Sequence, residues 1–130
     1  MHMGVKMSSD QYLDPRYWNG LLKMGLSRFF ILRVLHTNPA HGYAIAKQIA
    51  GLTQDCCSPS EAAIYPVLKE FVQGDYVTYE KIKVSGRERK VYTLTEKGRQ
   101  AYEVAVEAWR ETTEALIAAH EEQRPKETEC

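Results

Sequence analysis

Residues 58–74, SPSEAAIYPVLKEFVQG, constrain this chain more than any other stretch, because they specify one helix with two chemically different faces. Ser58 suits an N-cap and Pro59 the first helical position, while Glu61, three residues after the cap, completes a Ser-x-x-Glu capping box. Ile64, Val67, Leu68 and Phe71 then fall at the spacing of one buried helical stripe. Gly74 is placed to close the helix as its C′ residue. The opposite face carries Ser60, Tyr65 and Lys69, side chains that can meet a phosphate or a base edge. Pro66 interrupts this pattern, since it removes the hydrogen bond to Ala62 and favours a kink or a stop. The apolar period argues for one continuous helix all the same.

Beyond Gly74 and Asp75 the helical period gives way to alternation. Val77 and Tyr79 alternate with Thr78 and Glu80, which predicts a strand over 76–84. Ser85 and Gly86 supply a turn, and a second strand is expected over 90–94, so Arg87, Glu88 and Arg89 form the tip of a basic hairpin. Upstream, a helical pattern begins at Pro15 or Arg16 and runs through Trp18, Leu21, Leu22, Phe29, Ile31 and Leu35. Gly25 suggests a bend that divides it into two helices. After Leu26 it is apolar on nearly all sides, which calls for burial or a dimer contact. Residues 37–42, with Asn38 and Pro39 as the breaker, read as a turn. Residues 43–50 read as a short amphipathic helix with Ile45, Ala46 and Ile49 inward, ended by Gly51. Helix, short connection and helix make a helix-turn-helix.

Thr95 caps a long final helix over 96–123, whose Ala101, Tyr102, Ala105, Ala108, Trp109, Leu116 and Ala119 approach a heptad repeat. One such helix on a small domain calls for a partner, and a homodimer is the economical solution. The expected architecture is mainly α with a small β-hairpin. Its parts are a flexible arm at 1–14, a winged helix-turn-helix at 15–95, a dimerisation helix at 96–123 and a disordered tail at 124–130.

Composition bounds what such a chain does. At 130 residues, 44% hydrophobic and 26% charged, it is an ordinary soluble domain. No run is long enough to span a membrane, and no secretory signal opens the chain, so a cytoplasmic location is expected. Met3 and Met7 stand beside Met1 as candidate natural starts. Three cysteines, two of them adjacent, are not a disulfide framework. The zero net charge hides an asymmetry: residues 1–39 balance to +3, residues 40–100 to +2 and residues 101–130 to −5. Residues 81–90 alone hold five bases and one acid, which suits either a solvated face or one surface that meets a polyanion. A Gly-rich phosphate loop, a His-rich metal motif and a Ser-His-acid set are all missing from the sequence, which argues against an enzyme.

Four motifs sharpen the reading. HGYAI at 41–45, AIYPVLKEF at 63–71, GDYV at 74–77 and RKVYTLTEKG at 89–98 occur in an order and spacing that resembles the PadR family of transcriptional regulators. The likeness covers roughly residues 26–110 and is closest to short members with a single C-terminal helix. It implies a dimer that places two copies of the Tyr-Pro helix in the major groove about one DNA turn apart, on a pseudo-palindromic double-stranded operator. By the same resemblance Ser58, Ser60, Tyr65 and Lys69 are candidates for groove and phosphate contact, and Arg87, Arg89 and Lys90 at the wing for phosphate. Tyr65 is equally open to core packing and Ser58 to simple capping, while His41 looks structural. Repression is expected because the family mostly represses.

Two features suit an effector. Trp109 occupies a place where, in multidrug-sensing relatives, an aromatic faces a pore at the dimer interface, and Tyr102 lies near it; plain dimer packing is the other reading. Cys56 and Cys57 directly precede the recognition helix, whose N-terminus lowers thiol pKa. With Cys130 they suit a thiophilic ion such as arsenite, or an oxidant, and depart from the family pattern; two small loop side chains are the plainer reading. No cofactor is required. The competing class is a winged-helix protein adaptor that uses the same fold without specific DNA binding.

Overall fold

The computed structural model describes residues 10–54 and 59–124. A 3-10 turn at Gln11–Leu13 leads into helix α1, Pro15–Thr37. Strand β1 is the pair Ala40–His41, and helix α2 spans Gly42–Thr53. Helix α3 is Glu61–Gln73, strands β2 and β3 are Val77–Val84 and Arg87–Leu94, and helix α4 is Glu96–Gln123. The sheet is antiparallel in the order β1-β3-β2, with Val77 opposite Leu94 and Val84 opposite Arg87.

Local chemistry explains most of these boundaries. Asp14 caps α1 by accepting from the Arg16 backbone N–H at 2.9 Å, with Pro15 at the first helical position. Gly20 and Gly25 do not divide the helix, contrary to the expected bend. A glycine inside a helix costs about 1 kcal/mol, too little to break one anchored by buried Ile31, Leu32, Val34 and Leu35. Gly51 likewise lies within α2, which runs on until Gln54 adopts a left-handed φ of 53°. The expected turn at 37–42 holds β1, an added third strand: Ala40 pairs with Tyr92 and His41 with Val91. The basic segment at Arg87 is already strand, because Ser85 and Gly86, at φ 54° and 80°, form a two-residue turn of the type I′ pattern. The end of the polar arm is tied down, since Tyr12 packs on Tyr17 and its carbonyl accepts from Trp18 Nε1 at 2.9 Å. Within the predicted tail only Arg124 is among the described residues, as the C-cap of α4.

The core gathers Ile31, Val34 and Leu35 from α1, Ile45 and Ile49 from α2, Ile64, Val67 and Leu68 from α3, and Ala40, Val77 and Tyr92 from the sheet. Helix α3 stays continuous through Pro66. Its end is a Schellman motif, in which Asp75 donates to Val72 O at 3.1 Å and Tyr76 to Phe71 O at 2.9 Å, with the Phe71 and Tyr76 rings in contact. Asp75, at φ 67°, is therefore the C′ residue, and Gly74 at φ −93° is the C-cap. Gly74 is needed for close approach, because a Cβ there would lie 2.8 Å from the Tyr76 ring.

Helix α4 starts on the same knot. The Thr95 hydroxyl donates to Asp75 O at 2.7 Å and accepts from Gly98 N at 3.0 Å, and Lys97 Nζ donates to Gly74 O at 2.8 Å. Gly98 is buried, and a Cβ on it would collide with the Tyr76 carbonyl and lie 2.7 Å from Leu94 Cδ1. Gly98→Ala is accordingly expected to lower stability by about 3 kcal/mol. In urea unfolding this appears as a lower midpoint with an unchanged slope.

Candidate nucleic-acid interface

Helix α3 presents its polar face because its apolar stripe is fully used. Ser60, not Ser58, is the N-cap: its Oγ accepts from Ala63 N at 3.1 Å. The cap is thus two residues later than the one read at Ser58; the residue three on from Ser60 is Ala63, which cannot complete a capping box, and Glu61 sits in the first turn. Pro59, at the expected first helical position, precedes the helix and is buried. Ser58 lies outside the described residues, as do Cys56, Cys57 and Cys130. Among the described residues no group of three or more His, Cys, Asp or Glu side chains is placed to hold a metal ion.

Tyr65 combines packing and exposure. Its phenol rests on Gly42, where three of its atoms lie within 2.7 Å of the point a Cβ would occupy, so only glycine admits the ring there. The residue is still 43% exposed, and its hydroxyl donates to Glu61 Oε2 at 2.7 Å. Partial burial first, and then the hydrogen bond to the Glu61 carboxylate, push the Tyr65 phenol up to about 12 from 10.0. The uncharged phenol is therefore the form that meets a neighbour at physiological pH.

The wing's three cations leave strand β3 on two faces, although all three reach the same cleft beside Tyr65. Successive strand residues point to opposite faces, so Arg87 and Arg89 lie with Val91 and Lys90 with Tyr92. Lys90 Nζ stands 4.6 Å from the Tyr79 ring centre, and the Tyr79 and Tyr92 rings are 5.8 Å apart. Arg89 is half-buried, with Nη1 3.4 Å from His41 Nδ1, while Arg87 and Lys90 are exposed.

Two clefts lie between α3 and the hairpin, and both are lined by Tyr65, Lys90 and Tyr92. One, about 360 Å³, adds His41, Arg87, Glu88 and Arg89. The other, about 500 Å³, adds Lys69, Val72, Gln73 and Tyr79. Four cations and a single carboxylate thus line one continuous surface on either side of Tyr65. Sequence reading missed Gly42, Glu61 and Tyr79 here. The signal for Tyr79 was its strand position two residues from Lys81, directly opposite Tyr92.

The aromatic pair on the last helix lies on the seam between α1 and α4. Phe29 stacks on Tyr102 at 5.7 Å and meets Trp109 at 6.2 Å, and His36 lies 4.6 Å from Tyr102. Phe29 is the shared surface that brings Tyr102 and Trp109 together.

A helix-turn-helix followed by a basic two-stranded hairpin defines the winged helix class. The model of the transcriptional regulator PadR-like family matches residues 31–104, from the buried half of α1 into α4. The chain belongs to that family. It is 36% identical over 76 residues to the transcriptional regulator YqjI of Escherichia coli, a match covering 58% of this chain and 35% of that protein. The chain thus aligns with about a third of the length of the curated relative it matches. Bacillus subtilis PadR, solved in complex with operator DNA, superposes with a TM-score of 0.56 at 28% identity over 61% of this chain and 46% of that one. A PadR family regulator from Eggerthella lenta has the same fold at a TM-score of 0.70 and 20% identity, over 88% and 97% of the two chains.

The raised phenol of Tyr65 has a measurable sign. Its contribution to stability is present below pH 10 and is lost as pH rises through about 12, because the folded state holds the proton more tightly than the unfolded one. Glu61→Gln is expected to move the phenolate absorbance titration of Tyr65 to lower pH. The return should be partial, because burial against Gly42 persists; an unmoved titration is the contrary result.

Proposed function

We propose that this protein is a dimeric, sequence-specific DNA-binding repressor whose α3 enters the major groove while the wing meets the adjacent backbone. The carrying observation is the surface that α3 and the hairpin build together around Tyr65, with Lys69, Arg87, Arg89 and Lys90 converging from two elements. Ser60 combines its cap with a place at the groove-facing end of α3, and Ser58 is kept as a neighbouring candidate. Phosphate contacts would supply most of the affinity, and Tyr65 and Ser60 the approach to base edges. Operator binding by the Bacillus subtilis relative supports the same use of this fold here.

Unpartnered apolar surface supports the dimer. Leu21, Leu22 and Met24 on α1 and Val104, Val106, Leu116 and Ile117 on α4 are exposed in the single chain, apolar surface that a partner would cover. A second copy laid along α1 and α4 covers them and holds two α3 helices at half-site spacing. The cytoplasm is the compartment in which such a protein meets its operator. Release by an effector completes the proposal. The seam of Phe29, Tyr102 and Trp109 suits a planar or cationic ligand, and the Cys56 and Cys57 thiolates, with Cys130, suit arsenite or an oxidant.

Fluorescence anisotropy on DNA from the protein's own upstream region tests the core of this reading. Affinity is expected to fall by at least about a hundredfold between low and physiological salt, and Ala at Lys69, Arg87 or Lys90 to lower the logarithmic salt slope by about one each. A flat salt dependence favours the protein-adaptor reading instead. A Leu116→Glu, Ile117→Glu variant is expected to sediment as a monomer and to bind far more weakly. Arsenite that releases DNA from wild type but not from Cys56→Ser, Cys57→Ser assigns the switch to the thiolates. Release by an aromatic cation that Trp109→Ala abolishes assigns it to the seam.

A further inference from the structure

We infer that His41 is a positioning residue that aims Arg89 of the wing and so couples the wing to the helix-turn-helix, an inference that rests on the DNA-binding reading above. His41 has two structural duties at once. It is the last residue of β1, paired with Val91 of β3, and the N-cap of α2. Alternation along β3 puts Arg89 on the same face as Val91, so the His41 ring and the Arg89 guanidinium meet on one side of the sheet. Their separation, Nη1 to Nδ1, is 3.4 Å, and Ala44 N lies 3.4 Å from the same Nδ1.

Chemistry fixes the tautomer. A guanidinium N–H only donates, and so does a backbone N–H, so Nδ1 must accept from both and the ring proton must sit on Nε2. One lone pair shared by two donors accounts for both contacts being longer than the usual limit of about 3.2 Å. Tyr43 stacks beside the ring at 6.4 Å and 10°, which restrains its rotation.

The neutral ring directs Arg89 without neutralising it. A carboxylate in this place would hold the guanidinium as firmly but cancel much of its charge before a phosphate arrived. Among the described residues no carboxylate forms an ion pair with Arg89. Its charge is therefore available in the cleft that it lines with Tyr65, Arg87 and Lys90. An arginine already held in place also loses less rotamer freedom on meeting a phosphate than a free one does. Arg87 and Lys90, both exposed, supply charge, whereas Arg89 supplies charge in a set direction.

Four variants of the full chain separate positioning from capping. His41→Ser keeps a good N-cap but is too short to reach Arg89, so its urea midpoint should stay close to wild type. Its affinity for upstream DNA should fall by about two- to tenfold, the range for losing one pre-ordered side chain. His41→Asn places a carbonyl oxygen near the Nδ1 position and should restore affinity to within about twofold. His41→Ser added to Arg89→Ala should weaken binding no further than Arg89→Ala alone. Additive losses in that pair, or a His41→Asn as weak as His41→Ser, overturn the inference. A readout without DNA keeps it separate from the function on which it rests. Long-range nitrogen–proton spectra of the free protein should show His41 protonated at Nε2, with ring signals that shift in Arg89→Ala. A proton on Nδ1, or signals indifferent to Arg89, refute the coupling whatever the DNA data show. The expected spectra in a protein that fails to bind DNA would overturn the repressor reading and leave the contact intact, without its proposed use.

Discussion

Burial of Ile64, Val67 and Leu68 against α1, α2 and the sheet orients α3, and the rest of the surface follows from that orientation. Three aliphatic side chains almost wholly removed from water contribute roughly 4–9 kcal/mol. A proline within a helix costs about 3 kcal/mol, so the stripe outweighs Pro66 and the helix continues. The residual cost is also placed where it does least harm. Pro66 and Ala62 are both exposed, so the carbonyl left without an N–H partner faces water. With the apolar side committed to the core, Ser60, Tyr65 and Lys69 have only the outside to occupy.

A second constraint sits at the other end of the same helix. The Schellman turn at Asp75 throws Tyr76 back over Gly74 and Phe71, and the Tyr76 carbonyl accepts from Thr95 N at 3.1 Å. Gly98 lets the first turn of α4 press directly onto that carbonyl. The C-terminus of α3, the start of β2 and the start of α4 thus meet within a few residues, so α4 cannot swing without moving α3. A dimer built along α4 would for that reason fix the separation of its two recognition helices rigidly, which is what reading two half-sites demands.

Much of this was legible because long periodic segments announce themselves. The bounds of α4 and its Thr95 cap, the burial of Ile64, Val67 and Leu68, and the strand from Val77 to Val84 all follow from pattern. What escaped were decisions made by tertiary contact. Gly25 and Gly51 look like breaks in a sequence, yet neighbouring buried residues carry the helices through them. Ser58 and Ser60 both satisfy cap chemistry, and the backbone selects Ser60. Ala40 and His41 are too short a run to show strand periodicity, and they become a strand only because β3 offers them an edge. The site followed the same division. The basic character of the wing was plain in the composition, but its partition into an Arg89 side and a Lys90 side depends on register. The fit of Tyr65 over Gly42 depends on two helices meeting. Cys56 and Cys57 stood out by rarity alone, and rarity carries no geometry.

The split wing changes how charge on this surface should be understood. A tip carrying three equivalent cations would attract a polyanion from any direction and confer affinity with little orientation. Here Lys90 stands over Tyr79 on the side of Lys69, while Arg89 is held by a neutral imidazole that also caps α2. The two cations are tied to different parts of the fold, one to the hairpin itself and the other to the helix-turn-helix. A phosphate bound by both would bridge those parts, so that the approach of the backbone and the seating of α3 become one event rather than two. Tyr65 lies between the two clefts, uncharged and anchored on Gly42, at the point where such a bridge would bring a base edge into reach.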